Sequence, residues 1–234
     1  MAITKVTTGT IEDGTIVNAD VNASAAIAST KLSGVDTGLS SVQTFTSSGT
    51  WTRPTGVTKV IMEIQGAGGA GSRSDSTDNK RHGGAGGGYA KKFLDVSSIS
   101  TATITVGAGG AATSSNDTAG GDGGASSWAD GTNTITGNGG AGGSASANIP
   151  SAGGTATGGD LNIQGGNSTS LDASAGAAAD GAGDSMLGFR GEAHWSGSNP
   201  SSYGSSGYGA GTGPGVSANS LRAGHGIVIV WEYN

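Results

Sequence analysis

The residues best equipped for recognition chemistry lie in one stretch, LGFRGEAHWSGSNPSSYGSSGYG (187–209). Phe189, Trp195, Tyr203 and Tyr208 supply rings, and Arg190, Glu192 and His194 supply charge and hydrogen-bonding groups among them. Rings and Arg on a Ser/Gly/Asn-rich segment without strand periodicity are the composition of binding surfaces. Segment 187–206 is therefore the first candidate site; the alternative is that the same rings stack as a lid over glycine-rich backbone. Arg73, Lys80, Arg81 and His82 make 72–82 a second candidate, and 113–119 is a third polar loop. Catalysis has less to stand on. There is no G-x-S-x-G elbow, no pair of carboxylates can be assigned to a groove, and no enzymatic activity is expected. His82, His194 and His225 lie far apart and cysteine is absent, so no short-spaced ligand pair exists and neither metal nor cofactor is expected. Asp180 and Asp184 around Gly181-Ala-Gly183 have the look of a calcium-binding repeat but lack its spacing and its tandem copies.

A second pattern offers nucleotide chemistry. VIMEIQGAGGAG (60–71) is an apolar strand followed by G-x-G-x-x-G, the dinucleotide-binding fingerprint. That chemistry needs a helix N-terminus at the glycines to face a pyrophosphate. Here SRSDSTDNKRHGGAGGG (72–88) follows, with no apolar period and no run of helix formers. TATITVGAGGAA (101–112) then repeats the strand-to-glycine pattern, and GGDGGAS (120–126) and GNGGAGGS (137–144) extend it. The motif is one copy of a repeat, and nucleotide binding is set aside.

The elements that must position these residues are unusual in composition. Of 234 residues 48 are glycine, about three times the common share of ~7%. Hydrophobic residues make up 33% and charged residues 12%, and the net charge is -6. Disordered chains of low hydrophobicity are usually highly charged, and this chain is not. Its 11 basic residues form no run, so no nucleic-acid partner is expected. No apolar stretch approaches the ~20 residues of a membrane helix, and MAITKVTTGT carries no secretory h-region.

Two regions follow from the pattern. Residues 1–43 are poor in glycine; Ile11, Ile16, Val17, Val21 and Ile27 are the sizeable apolar groups of 10–31, and 24–32 could form one short helix. So few apolar groups cannot build a core, so 1–43 is expected to be an arm that docks elsewhere or pairs with copies of itself. Residues 44–234 are expected to be mainly β. Phe45 and Trp51 flank a Ser-Ser-Gly turn; Val60, Met62 and Ile64 alternate inward, as do Ala102, Ile104 and Val106. YAKKFLDV (89–96) is a further strand, and GIVIVWEY (226–233) is apolar on both faces, as a central strand would be. A small β-sandwich from roughly 44–65, 89–106 and 226–233 follows, with 107–225 inserted. Phe45, Trp51, Phe93, Trp231 and Tyr233 are assigned to its core or edge, and Asp117, Asp122 and Asp130 to turns.

The insertion carries glycine clusters at 66–71, 83–88, 107–110, 120–124, 137–143, 153–159, 165–166, 176–183, 207–215 and 224–226, counting the first two from the flanking β region. A chain in the polyproline II conformation rises ~3.1 Å per residue with three residues per turn and no internal hydrogen bonds. Such segments can bond laterally to one another, and close approach requires residues without Cβ. A core of glycine backbone could then replace a core of side chains. The alternative is flexible linker, against which stand the short clusters bounded by larger residues.

TFTSSGTWTRPTGVTKVIMEIQGAGGAG, GGAGGGYAKKFLDV, ITVGAGG and the ending GIVIVWEY, in that order, resemble the glycine-rich domain of tailed-bacteriophage tail fibres and fibre-tip adhesins over about 44–234. IEDGTIVNADVNASAAIASTKL (11–32) is similar to the virion-proximal segments of such fibres. The resemblance implies a β-sandwich joined to a bundle of polyglycine II helices, located in the virion as a tail-fibre tip. It also implies docking to other tail proteins through 1–43, a homotrimer, and loops that touch a host glycan or outer-membrane protein. Several clusters here carry Ala, Asp, Asn or Thr, as in GGTATGGD (153–160), unlike the long glycine runs of some adhesins. The second function class is a purely structural or ice-binding glycine-helix protein. Ice binding needs a flat ligand array with an unbroken three-residue period, and the spacing here breaks at every loop.

Overall fold

The computed structural model describes residues 38–74, 82–145, 149–169, 181–189, 193–194, 201–202, 206–213, 215–216 and 222–234. It is mainly β, with no helix among the described residues and two five-stranded antiparallel sheets. The first sheet has the order β1 (Leu39–Phe45), β16 (Ile227–Tyr233), β3 (Lys59–Gln65), β5 (Tyr89–Asp95), β10 (Leu161–Ile163). The second has the order β2 (Gly49–Thr52), β6 (Thr101–Thr105), β7 (Ser126–Ala129), β8 (Thr134–Gly137), β9 (Ala156–Thr157). The shorter pairs are β15 (Gly215–Val216) with β4 (Arg73–Ser74), β11 (Gly188–Phe189) with β14 (Ser206–Gly207), and β12 (Ala193–His194) with β13 (Ser201–Ser202).

Period-2 alternation builds the core as the sequence implies. Val60, Met62, Ile64, Val228 and Val230 of the first sheet meet Trp51, Ala102, Ile104, Trp128 and Ile135 of the second, all buried. Trp51 and Trp128 lie with ring centroids 4.8 Å apart, tilted by 48°. Glu232 points into this core and is fully buried. A buried carboxylate is tolerable only when its oxygens are satisfied. Trp51 Nε1 of the facing sheet donates to Oε1 at 2.6 Å, Gln43 Nε2 donates to Oε1 at 2.7 Å, and Ser41 Oγ reaches Oε2. The last strand is central, between β1 and β3, as its two apolar faces require.

Several expectations are corrected. The sandwich begins at Leu39, because Leu39–Phe45 pairs along β16, so 39–43 belongs to the sheet rather than to an N-terminal arm. The arm's remaining residues, 1–37, and the helix expected at 24–32 lie outside the described residues. Strands β7 to β10 come from the region assigned to the insertion, and Trp128 and Ile135 are central to the core. Phe93, assigned to core or edge, is 53% exposed on the outer face of the first sheet.

Strands run straight into glycine segments, and these bond to one another through backbone. Segment 66–72 donates from Gly66, Gly69 and Ser72 to 82–88, from Ala67 and Ala70 to 120–125, and from Gly68 to 222–226. It accepts at Ala67 and Ala70 from Gly140 and Gly143, at Gly68 from Gly110, and at Gly69 from Thr212. Six neighbours thus surround it, and each adjacent pair in that ring is itself hydrogen-bonded. Segment 82–88 is enclosed in the same way by 66–72, 138–143, 151–155, 165–169, 181–185 and 209–212. Donors return to the same neighbour every third residue: Gly84 and Gly87 to 209–212, Ala85 and Gly88 to 138–143. Each of the glycine clusters read from the sequence contributes to this network.

The missing side chains are what permit it. A Cβ built on Gly69 would stand 2.1 Å from the Ala141 carbonyl oxygen, and one on Gly109 would stand 1.9 Å from that of Ala223. Both lie far inside van der Waals contact with backbone that is itself bonded. Ala67 and Ala70, three residues apart, are fully buried and occupy the face where a methyl fits. At the junction with the sandwich, Gln65 Nε2 donates to the Gly87 carbonyl at 2.8 Å.

Candidate functional site

The alternation of directions in the network sorts its loops. Gly66 bonds Gly88 beside the first sheet, where Gln65 pairs with Tyr89, while Ser72 bonds His82 at the opposite end. The links Gly121 to Ala111 and Thr169 to Gly181 lie at that same distal end. The chain therefore leaves and re-enters the network distally at 72–82, 111–120, 143–151, 169–181 and 212–222.

Described parts of these loops touch. Arg73 and Thr118 exchange backbone hydrogen bonds of 3.0 and 3.1 Å. Arg73 Nη1 reaches the Ser114 carbonyl, and Gly215–Val216 pairs in parallel with Arg73–Ser74. Asp117 sits in this cluster at φ +52°, a left-handed conformation uncommon outside glycine. Segment 187–206, expected to lack strands, contains two antiparallel pairs, Gly188–Phe189 with Ser206–Gly207 and Ala193–His194 with Ser201–Ser202. Ser201–Ser202 lies beside Gly215–Val216, so this ribbon reaches the distal loops. Described residues of the three candidate loops meet through Gly215–Val216: Arg73–Ser74 of 72–82, Ser114 and Thr118 of 113–119, and Ser201–Ser202 of 187–206.

The individual residues fare differently. Phe189 is 80% exposed and Tyr208 is exposed at the base of the ribbon. Arg73 is spent on the Ser114 and Thr118 backbone as well as being partly buried. His82 is 1% exposed and departs from its expected place in a binding loop. Its N–H donates to Ser72 Oγ at 3.0 Å, and it forms the end of a network segment because Gly83 directly follows. Arg190, Trp195, Tyr203, Lys80 and Arg81 lie outside the described residues, as does the side chain of His194.

An open groove of about 430 Å³ runs on the network's flank, lined by Gly207, Tyr208, Arg222, Ala223, Gly224 and His225. Among the described residues, segment 222–226 bonds through its backbone to 107–110, 66–72 and 209–212. Arg222 and His225 are three apart, and donors three apart in this segment, Ala223 and Gly226, both turn to 107–110, so the two side chains share one face. Both are exposed, and the Arg222 guanidinium also approaches the Gly109 carbonyl at 3.5 Å. A ring, a guanidinium and an imidazole along a shallow groove can stack on a flat sugar face and donate to anionic or hydroxyl oxygens. The sequence reading passed over Arg222 and His225; the three-residue spacing in Arg222-Ala-Gly-His225 was the available signal.

The profile of the glycine-rich domain family matches residues 41–230, and the chain belongs to that family. No curated protein shows a significant match to it.

Proposed function

We propose that this chain is a tail-fibre tip protein of a tailed bacteriophage, attaching non-enzymatically to the host surface, and that its glycine segments form a polyglycine II bundle. The bundle reading is supported by the donor pattern, which returns to one neighbour every third residue, and by six hydrogen-bonded neighbours around 66–72 and around 82–88. The attachment reading is supported by one observation: at the distal end Arg73–Ser74, Ser114, Thr118, Ser201–Ser202 and Gly215–Val216, from four separate polar segments, meet. Rigid scaffolds that present variable loops are a common basis of recognition. The order of sequence motifs supplies the phage context. In this reading the residues before the sandwich, 1–37, join the chain to other tail proteins, and the receptor is a glycan or an outer-membrane protein.

The test is a loop replacement. Substituting 190–204 by a short Gly/Ser bridge is expected to abolish adsorption of the virion to its host while leaving the melting temperature unchanged. Normal adsorption would remove the ribbon from the receptor site. Arg222→Ala with His225→Ala should weaken adsorption severalfold if the flank groove takes part.

A further inference from the structure

The outer face of the first sheet carries an apolar row whose two outer members are exposed. Val42, Trp231, Ile61 and Phe93 are successive register partners across β1, β16, β3 and β5. Val42 is 43% and Phe93 53% exposed, and Trp231 and Ile61 between them are partly buried. On one side of this row the register aligns Lys59 with Asp95; on the other it aligns Glu63 with Lys91, whose charged ends are 3.3 Å apart. Tyr233 continues the first flanking row and Ile229 the second.

The two flanking rows carry opposite charge order on the same two strands. On β3 the cation is at Lys59 and the anion at Glu63; on β5 the anion is at Asp95 and the cation at Lys91. A twofold axis along the apolar row, in the plane between two facing sheets, exchanges the two flanking rows strand for strand. It places Lys59 of one copy over Glu63 of the other and Asp95 over Lys91, while the apolar row meets itself. The pattern is thus self-complementary under one symmetry operation, as an isologous interface requires. We infer that this face binds a second copy of the chain, sheet against sheet, about a twofold axis along Val42–Trp231–Ile61–Phe93.

The size of the face agrees with a reversible contact. Four strands of seven residues, at ~4.8 Å between strands and ~3.4 Å per residue, give a patch about 19 by 24 Å, with the three-residue β10 at its edge. That is about 500 Å² per copy, or ~1,000 Å² in all, at the lower end of specific interfaces. Paired sheets pack ~10 Å apart, near enough for the flanking side chains to meet.

Sedimentation of the full-length chain over roughly 1–100 µM tests this, with melting temperature as the check on folding. A concentration-dependent dimer is expected. Reversing one row, Lys59→Glu with Asp95→Lys, keeps the pair within each copy but sets like charges across the axis. It should weaken the dimer at least ~10-fold. Adding Glu63→Lys and Lys91→Glu should restore it to within ~3-fold, because every apposition is again attractive. Phe93→Ser should weaken the dimer with folding intact, since Phe93 is mostly exposed. A chain that stays monomeric throughout overturns the inference and leaves the face to a different partner. So does any assembly, the trimer implied by the resemblance included, that is indifferent to reversal of one row.

Discussion

The molecule has two interiors made on opposite principles. In the sandwich, strands pair edge to edge and apolar side chains fill the space between sheets, with Trp51 against Trp128 at the centre. In the glycine network each enclosed segment bonds to six others, and the space between segments is too narrow for most side chains. One interior excludes water with side chains and satisfies its backbone within flat ladders. The other satisfies backbone in all directions around each segment and has hardly any side chains to pack. Ordering glycine costs more conformational entropy than ordering any other residue, so the second solution is viable only where nearly every N–H finds a carbonyl. The lesson is that hydrophobic content does not by itself bound the size of an ordered interior.

The comparison can be broken most directly by adding a side chain where the network has none. Gly69→Val is expected to cost more than about 4 kcal/mol or to prevent folding, because the Cβ would fall 2.1 Å from a bonded carbonyl oxygen. Gly109→Val should behave likewise. Gly131→Ala is the control. Gly131 has φ +91° and open space around it, so the cost is conformational, about 1 kcal/mol. Urea denaturation of the three variants checks this, and equal midpoints would mean that the segments do not pack as described.

Removing side chains sharpens the contrast. Trp128→Ala should cost about 3–5 kcal/mol through lost burial and a cavity. Ala67→Gly, equally buried but within the network, should cost about 1 kcal/mol or less. Similar losses for the two would argue that the methyl groups hold the network together.

The smallest effect concerns the turn that joins β7 to β8. Burial works to raise the Asp130 pKa, but hydrogen bonds from Asn133, Trp128 and Thr132 outweigh it and hold the carboxyl below its ordinary value. A depressed folded pKa contributes stability that is fully present above the unfolded value near 3.9 and lost as pH falls through the folded value. Asp130 is partly exposed, so the contribution is expected at a few tenths of a kcal/mol. The stability gap between the parent and Asp130→Asn should close below about pH 4. A gap that persists to pH 2 would assign the effect to turn geometry instead.

Much of this arrangement was legible in the sequence, for reasons specific to particular elements. Lys59–Gln65 and Thr101–Thr105 alternate cleanly, and Ile227–Tyr233 is apolar on both faces, so these strands could be read. The glycine clusters mark the network segments because close backbone approach leaves no other residue. Ser126–Ala129 and Thr134–Gly137 were missed because each is only four residues long and set between glycine clusters. The Asp130-Gly131 dipeptide between two short alternating runs was the hairpin signal that could have revealed them. His82 looked like a loop residue because its burial comes from segments distant in sequence. The spacing of Arg222 and His225 was visible in the sequence, but that they share a face follows from the return of the Ala223 and Gly226 donors to one neighbour. The ribbon pairs at 188–207 have no sequence period because each is two residues long.

The three-residue return of hydrogen-bond donors also constrains how such a chain can change in length. Deleting one residue inside 66–72 would rotate everything after it by a third of a turn. The Ala70 methyl would then take the direction of Gly69, where a Cβ would stand 2.1 Å from the Ala141 carbonyl oxygen. Deleting or inserting three residues restores the orientation and alters only the reach of the segment. The loop between Ser74 and His82 carries no such arithmetic, since its ends can be joined by chains of many lengths. Frame-preserving changes in the gene would thus sort into two grammars, multiples of three codons within the glycine runs and any number of codons between them.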